Sequence, residues 1–83
     1  MAGAATQIFS HEFDAILARL PANIRELILA KIVQMGGRLE SFPHYHLTGR
    51  AEFRLRVGDY RVIYDFDVNK NEVYLITVGN RVT

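Results

Sequence analysis

The chain has 83 residues, which gives room for one small domain (residues 1–83) and no second core. Hydrophobic residues make up 49% and charged residues 23%, which excludes a disordered tail, a collagen-like chain and low-complexity sequence. Ten Lys+Arg against nine Asp+Glu leave a formal charge of +1, too little by itself to mark a nucleic-acid binder. Eight of those ten are arginine, the residue suited to planar, multi-donor contacts with phosphate or carboxylate. A domain of this size buries only about 60–65% of its unfolded surface, so the core is thin and help from a partner subunit is in character.

The absence of cysteine excludes disulfide scaffolds and thiolate metal sites. No basic segment followed by an apolar run of signal-peptide length is present. The longest apolar stretch, Ile24 to Met35, is interrupted by Arg25, Glu26, Lys31 and Gln34, so no membrane-spanning helix is expected. The sequence reads as a soluble, cytoplasmic protein.

Residues 4–9 read as a short strand ending in Ile8 and Phe9. Ser10 then has the character of a helix N-cap, with Glu12 and Asp14 in the first turn, where the helix dipole favours negative charge. Phe13, Ile16, Leu17 and Leu20 fall on one helical stripe. Pro21 ends that helix and opens the next at its first position. Ile24, Leu27, Ile28, Ile32 and Met35 form a second stripe, and Gly36-Gly37 stops it. The two helices read as a hairpin. Residues 38–50 have no clear period and suggest a loop, with a short strand around His44 to Leu47.

After Gly49 the period changes to two. Phe53, Leu55 and Val57 alternate with Arg54 and Arg56, and Gly58-Asp59 is a two-residue hairpin turn of the kind that begins with glycine. Tyr60, Val62, Tyr64 and Phe66 alternate with Arg61, Ile63 and Asp65. Asp67 to Asn71 is a second turn, and Glu72 to Val78 a third strand. The expected fold is α+β: a short N-terminal strand, a two-helix hairpin, then an antiparallel meander with the helices on one sheet face.

The hairpin geometry places the charge. With Gly58 and Asp59 as the loop, Val57 pairs with Tyr60, Arg56 with Arg61 and Leu55 with Val62. One face is then apolar, and the other carries Arg54, Arg56 and Arg61 with Ile63 and Asp65. The last strand runs back antiparallel, which returns Gly79-Asn80-Arg81 toward the Gly58 turn. Like charges directly opposite destabilise a sheet by a few tenths to about 1 kcal/mol. Any single arginine is ordinarily neutralised by Glu52, Asp65 or solvent. For four converging arginines the natural occupant is an anion, above all a phosphate. From Arg50 to Arg61 four arginines face only Glu52 and Asp59, so the small total charge hides a segregated basic face.

Leu47-Thr48-Gly49, the run Phe53-Arg54-Leu55-Arg56-Val57-Gly58-Asp59-Tyr60-Arg61-Val62-Ile63-Tyr64, and Val78-Gly79-Asn80-Arg81 resemble the RelE/ParE superfamily of bacterial and archaeal toxins. The helices with Leu20-Pro21 and Ile24-Arg25 are similar to that family's helical hairpin, so the resemblance spans nearly the whole chain. It implies the toxin of a type II toxin–antitoxin system, held inactive by a cognate antitoxin encoded beside it, in a complex such as a heterotetramer. The RelE branch cuts mRNA in the ribosomal decoding site, whereas the ParE branch poisons DNA gyrase. RelE-type cleavage uses the RNA 2′-hydroxyl as nucleophile on the adjacent phosphate and requires no metal and no cofactor. Residue by residue, the resemblance assigns Arg61 and Arg81 to phosphate binding and transition-state charge. Arg54 and Arg56 match the two basic residues of the first hairpin strand, for RNA positioning and, at Arg56, support of the same charge. This basic face favours the mRNA endonuclease over the gyrase toxin.

The chain departs from the family pattern in two ways. It has arginine at both places where some relatives have a lysine, and a guanidinium is a poor general base at neutral pH. Active relatives also continue past the late arginine to a tyrosine or histidine. Here the sequence reads Arg81-Val82-Thr83, with Asn80 where close relatives often have histidine. These departures keep open a catalytically weakened module that binds antitoxin or RNA. His44, His46 and Glu40 are the candidate bases, against the ordinary reading that they are loop residues. His44 and His46 have no third ligand at metal-site spacing. His11 reads as an exposed helix-start residue, and Tyr60, Tyr64 and Tyr74 as core or rim of the sheet.

Overall fold

Ser10 joins the two layers of this fold. The structure, a computed structural model, describes residues 3–80. Strand β1 (Thr6–Phe9) leads through Ser10 into helix α1 (His11–Arg19). The Ser10 Oγ accepts the Phe13 N–H at 3.0 Å, capping the helix, and donates its own proton to the Ile76 carbonyl at 2.6 Å. Its backbone N–H donates to the Leu75 carbonyl at 3.0 Å, so a single residue fixes α1 to the far end of the chain.

Helix α2 (Ala22–Gly36) follows a short connection. Pro21 is the residue before the first helical turn rather than its first member, with ψ 147°. The hairpin is closed by Arg25, whose Nη1 donates to the Leu20 carbonyl at 3.2 Å beyond the end of α1. Ile28, Ile32 and Met35 are fully buried, as their spacing predicts. Leu27, expected on the same stripe, is 58% exposed. It precedes Ile28 by one residue, about 100° around the helix, and falls off the side of the buried face. Gly37 keeps a right-handed φ of −71°, so the glycine pair ends α2 without a left-handed cap. The chain instead unwinds through turns from Arg38 N–H to the Met35 carbonyl and from Phe42 N–H to the Arg38 carbonyl.

Strands β2 (Tyr45–His46), β3 (Phe53–Val57), β4 (Tyr60–Asp67) and β5 (Glu72–Asn80) complete a five-stranded sheet of order β1-β5-β4-β3-β2. The meander β2 to β5 is antiparallel as expected, and β1 joins it parallel to β5, making the sheet mixed. The β4–β5 register pairs Ile63 with Thr77 but Tyr64 with Leu75, leaving Ile76 as an extra residue. This bulge changes the alternation of β5, so that Val73, Leu75 and Val78 are all buried despite their uneven spacing. The Ile76 carbonyl is the group that accepts the Ser10 hydroxyl.

The core lies between the helices and one sheet face. It is built from Phe13, Leu17, Ile28, Ile32, Met35 and Leu39 on one side and Leu55, Val62, Tyr64, Val73, Leu75 and Val78 on the other. Its single buried hydroxyl, among the described residues, belongs to Tyr64 and is matched by His44. The Leu39 carbonyl can only accept, so His44 Nε2 carries the proton donated to it at 2.7 Å. Nδ1 is then free to accept the Tyr64 hydroxyl at 2.5 Å. The imidazole stacks on Phe66 with centroids 4.0 Å apart. Burial pushes the Tyr64 hydroxyl well above the ordinary tyrosine value, so it stays a donor.

Two stability changes are expected, both read as shifts of the urea unfolding midpoint at constant slope. Ser10→Ala loses the cap and leaves the Ile76 carbonyl unpaired, lowering stability by about 1–2 kcal/mol. Tyr64→Phe leaves His44 Nδ1 without its donor and costs about 1–2 kcal/mol, whereas a neutral result would mean that bond contributes nothing.

Candidate functional site

The β3–β4 hairpin forms in the register that its alternation dictates. Gly58 has a φ of +59°, the left-handed value that a turn beginning with glycine requires. Val57 pairs with Tyr60, Arg56 with Arg61, Leu55 with Val62 and Arg54 with Ile63. Leu55, Val62 and Tyr64 are buried beneath the helices, and Arg54, Arg56 and Arg61 therefore share the open face. Gly79, opposite Arg61 on β5, places no side chain beside it, and a Cβ there would meet open space.

No ion pair joins Arg54, Arg56 or Arg61 to a carboxylate among the described residues; Arg50 and Glu52 do pair, Nε to Oε1 at 3.1 Å. Arg54 and Arg61 line a depression of about 390 Å³ together with Leu47, Thr48, Arg50 and Ile63. A type II turn carries Arg50 there: Gly49 has a φ of +70° and the Arg50 N–H closes on the Leu47 carbonyl at 3.1 Å. The Leu47 N–H returns to the Glu52 carbonyl at 2.9 Å, tying this loop to the start of β3. Glu52's own backbone N–H, with the Arg50 guanidinium, holds its carboxyl below the usual range, so it is ionised at neutral pH. On the other side of Arg54 a second depression of about 260 Å³ is lined by Phe42, Pro43, Tyr45, Leu55 and Arg56.

Arg54, Arg56 and Arg61 are thus brought together. Arg81 lies outside the described residues, of which the last, Asn80, pairs with Tyr60. The three candidate bases are elsewhere. Glu40 lines a cavity of about 460 Å³ with Gly36, Gly37, Val68 and Asn71, at the β4–β5 turn and the opposite end of β4 from Arg61. His46 pairs with Phe53 in the register and stacks on it at 4.1 Å, which puts it on the sheet side away from Arg54. Its Nδ1–H donates to the Ala51 carbonyl at 3.0 Å. His44 is committed to Tyr64 and Leu39, and His11 is an exposed first residue of α1. Arg50, already counted in the basic run of the sequence, joins the arginine face together with Thr48 and Tyr45, which were given no role there. The signal for the first two was Gly49, the residue that lets the turn fold back.

At the far end of the same face the charge reverses. Asp65 and Asp67 on β4 lie opposite Tyr74 and Glu72 on β5. The Tyr74 hydroxyl donates to Glu72 Oε1 at 2.5 Å, and this bond, with partial desolvation and the neighbouring carboxylates, pushes it up to about 12. Among the described residues no three His, Asp or Glu side chains are grouped to hold a metal ion, and no helix is long and apolar enough to cross a membrane.

Comparison with known proteins places this geometry. No curated protein sequence matches the chain. Among solved structures, the RelBE2 toxin–antitoxin complex from Mycobacterium tuberculosis contains a chain similar over 100% of this one and 98% of its own length, at 21% identity and a TM-score of 0.79. The archaeal RelE–RelB complex from Pyrococcus horikoshii matches over 94% of this chain and 96% of that one, at 21% identity and a TM-score of 0.76. The intact E. coli RelBE toxin–antitoxin complex matches over 93% and 96%, at 26% identity and a TM-score of 0.72. A sequence model described as ParE toxin of type II toxin–antitoxin system, parDE, matches residues 8–82. With the two-helix hairpin, the mixed sheet and nearly every residue of the chain accounted for by that match, the protein belongs to the ParE toxin family of type II toxin–antitoxin systems, within the RelE/ParE superfamily.

Proposed function

We propose that this toxin is a RelE-like, ribosome-dependent mRNA endonuclease that holds the RNA backbone on its open sheet face and is restrained by a cognate antitoxin. The observation carrying this reading is the directly opposed pair Arg56 and Arg61, flanked by Arg54 and without a carboxylate partner among the described residues. A sheet gains nothing from such a pair, whereas a phosphate accepts several guanidinium donors at once.

In this reaction the RNA 2′-oxygen attacks the adjacent phosphorus, the 5′-oxygen departs, and negative charge grows on the five-coordinate phosphate. Arg56 and Arg61 stabilise that charge, while Arg54 orients the strand. Arg81 joins them on the strength of the family resemblance. Arginine stays protonated, so the two proton transfers fall to groups outside this cluster. The antitoxin follows from the RelBE relatives, whose structures are toxin–antitoxin complexes. A gyrase-directed toxin is the second reading, favoured by the match to the ParE family and by the distance of Glu40 and His46 from the arginines.

Expression of the chain alone is expected to arrest growth, with mRNA cut within codons and rescue by the antitoxin. On programmed ribosomes, Arg61→Ala is expected to slow cleavage on the order of 100-fold, as loss of one oxyanion donor does, with Arg56→Ala similar in direction. DNA-cleavage complexes with intact message would move the assignment to gyrase. Undiminished killing by both variants would remove the arginines from the site, and ribosome binding with uncut message would make the chain a binding module.

A further inference from the structure

We propose that Tyr45 is a stacking platform for one nucleobase of a single-stranded RNA whose phosphates lie on the neighbouring arginines; the inference rests on the RNA-directed function above and adds a base-contacting residue to it. Tyr45 is 57% exposed, on an edge strand, directly opposite Arg54 in the β2–β3 register. Its position in the register puts it on the arginine face, and the Arg54 guanidinium lies 5.5 Å from its ring centroid.

The other three tyrosines are occupied. Tyr64 is fully buried, Tyr60 packs against the core, and the Tyr74 hydroxyl is bonded to Glu72 at the acidic end of the sheet. Of the four tyrosines, Tyr45 alone presents an exposed ring on the arginine face. Its surroundings are shaped by Pro43. Continuing the β2–β3 register past Tyr45 would set Pro43 opposite Arg56, and proline has no N–H for the ladder. Pairing therefore stops at Tyr45, and the open edge of β3 becomes the depression of about 260 Å³ lined by Phe42, Pro43, Tyr45, Arg54, Leu55 and Arg56.

That volume is below the ~300–1,000 Å³ of small-molecule pockets and suits a single base. Its lining divides into apolar surface and two guanidinium groups, which matches a nucleotide's own division into an apolar ring face and a phosphate. Asp67 and Glu72 lie at the other end of β4 and β5, Asp65 is two residues past Ile63, the partner of Arg54, and Glu52, two residues before Arg54, is paired with Arg50 at 3.1 Å. Single-stranded nucleic acids are held in this way, by cations along the backbone and aromatic rings under the bases.

The test uses the full chain, a fluorescently labelled oligouridylate, and an abasic oligomer of equal length and charge, each titrated over a range of salt. Tyr45→Ala is expected to weaken binding of the oligouridylate on the order of ten-fold, with the same salt slope and an unchanged affinity for the abasic oligomer. Tyr45→Phe and Tyr45→Trp keep the affinity, because the ring stacks and the hydroxyl does not. Arg54→Ala instead flattens the salt slope by about 0.7. Tyr45→Ala with undiminished RNA affinity, or with equal loss for both oligomers, overturns the platform while the phosphate contacts stand. A loss confined to antitoxin binding makes this face a protein contact and overturns it as well. Failure of the unaltered chain to bind either oligomer removes the platform and the phosphate-binding reading together.

Discussion

The register of the β3–β4 hairpin is the constraint on which both the core and the basic face depend. A slip of one residue would flip one strand against the other, sending Arg54 and Arg56 into the core and Leu55 into water, or Arg61 into the core and Val62 and Tyr64 into water. Each of those three buried side chains contributes roughly 1.5–3 kcal/mol by leaving solvent. The repulsion between Arg56 and Arg61 is worth at most about 1 kcal/mol. Burial wins, so the core itself holds the arginines side by side. The fold tolerates this electrostatic cost because the same residues that create it also secure the sheet.

The acidic end of the sheet does not cancel the basic end. Arg61 and Asp65 are four residues apart on β4, about 13 Å at the ordinary rise of a strand. That exceeds the Debye length of about 8 Å at physiological ionic strength, so each end keeps its own potential. The net charge of +1, a sum over the whole chain, thus conceals two oppositely charged regions on one sheet face. An approaching polyanion meets attraction at the hairpin end and repulsion near Glu72, which gives it an orientation as well as a landing place.

Much of this was legible in the sequence because β3 and β4 alternate strictly and Gly58-Asp59 leaves one turn geometry. The helices were legible from their stripes, with Leu27 misplaced because it borders the buried face. The bulge at Ile76 was hidden, since Val73, Leu75, Ile76 and Val78 are all apolar and no alternation marks the extra residue. The group that bonds to the Ile76 carbonyl lies 66 residues away, the Ser10 hydroxyl, a contact that no local pattern can reveal. The parallel pairing of β1 was equally hidden. Glu40 and His46 looked close to the arginines along the chain, but the sheet sends one to the opposite end and the other to the opposite side. Arg50 depended on a turn whose glycine was visible but whose direction was not.

The loop histidines illustrate how a residue can serve a site without any chemistry of its own. His44 has every feature of a candidate base, yet both ring nitrogens are engaged and its ring lies among Phe42, Phe53, Tyr64 and Phe66. Tying Leu39 to Tyr64 through one imidazole anchors the segment between α2 and β2 to the core. Side chains alternate along an extended chain, so drawing His44 inward turns Tyr45 outward, and stacking His46 on Phe53 repeats the constraint one residue later. The orientation of Tyr45 beside Arg54 is thus set by its two neighbours before any ligand arrives. Side-chain ordering costs about 0.5–1.5 kcal/mol per residue when it must be done on binding, and here folding has already met much of that cost.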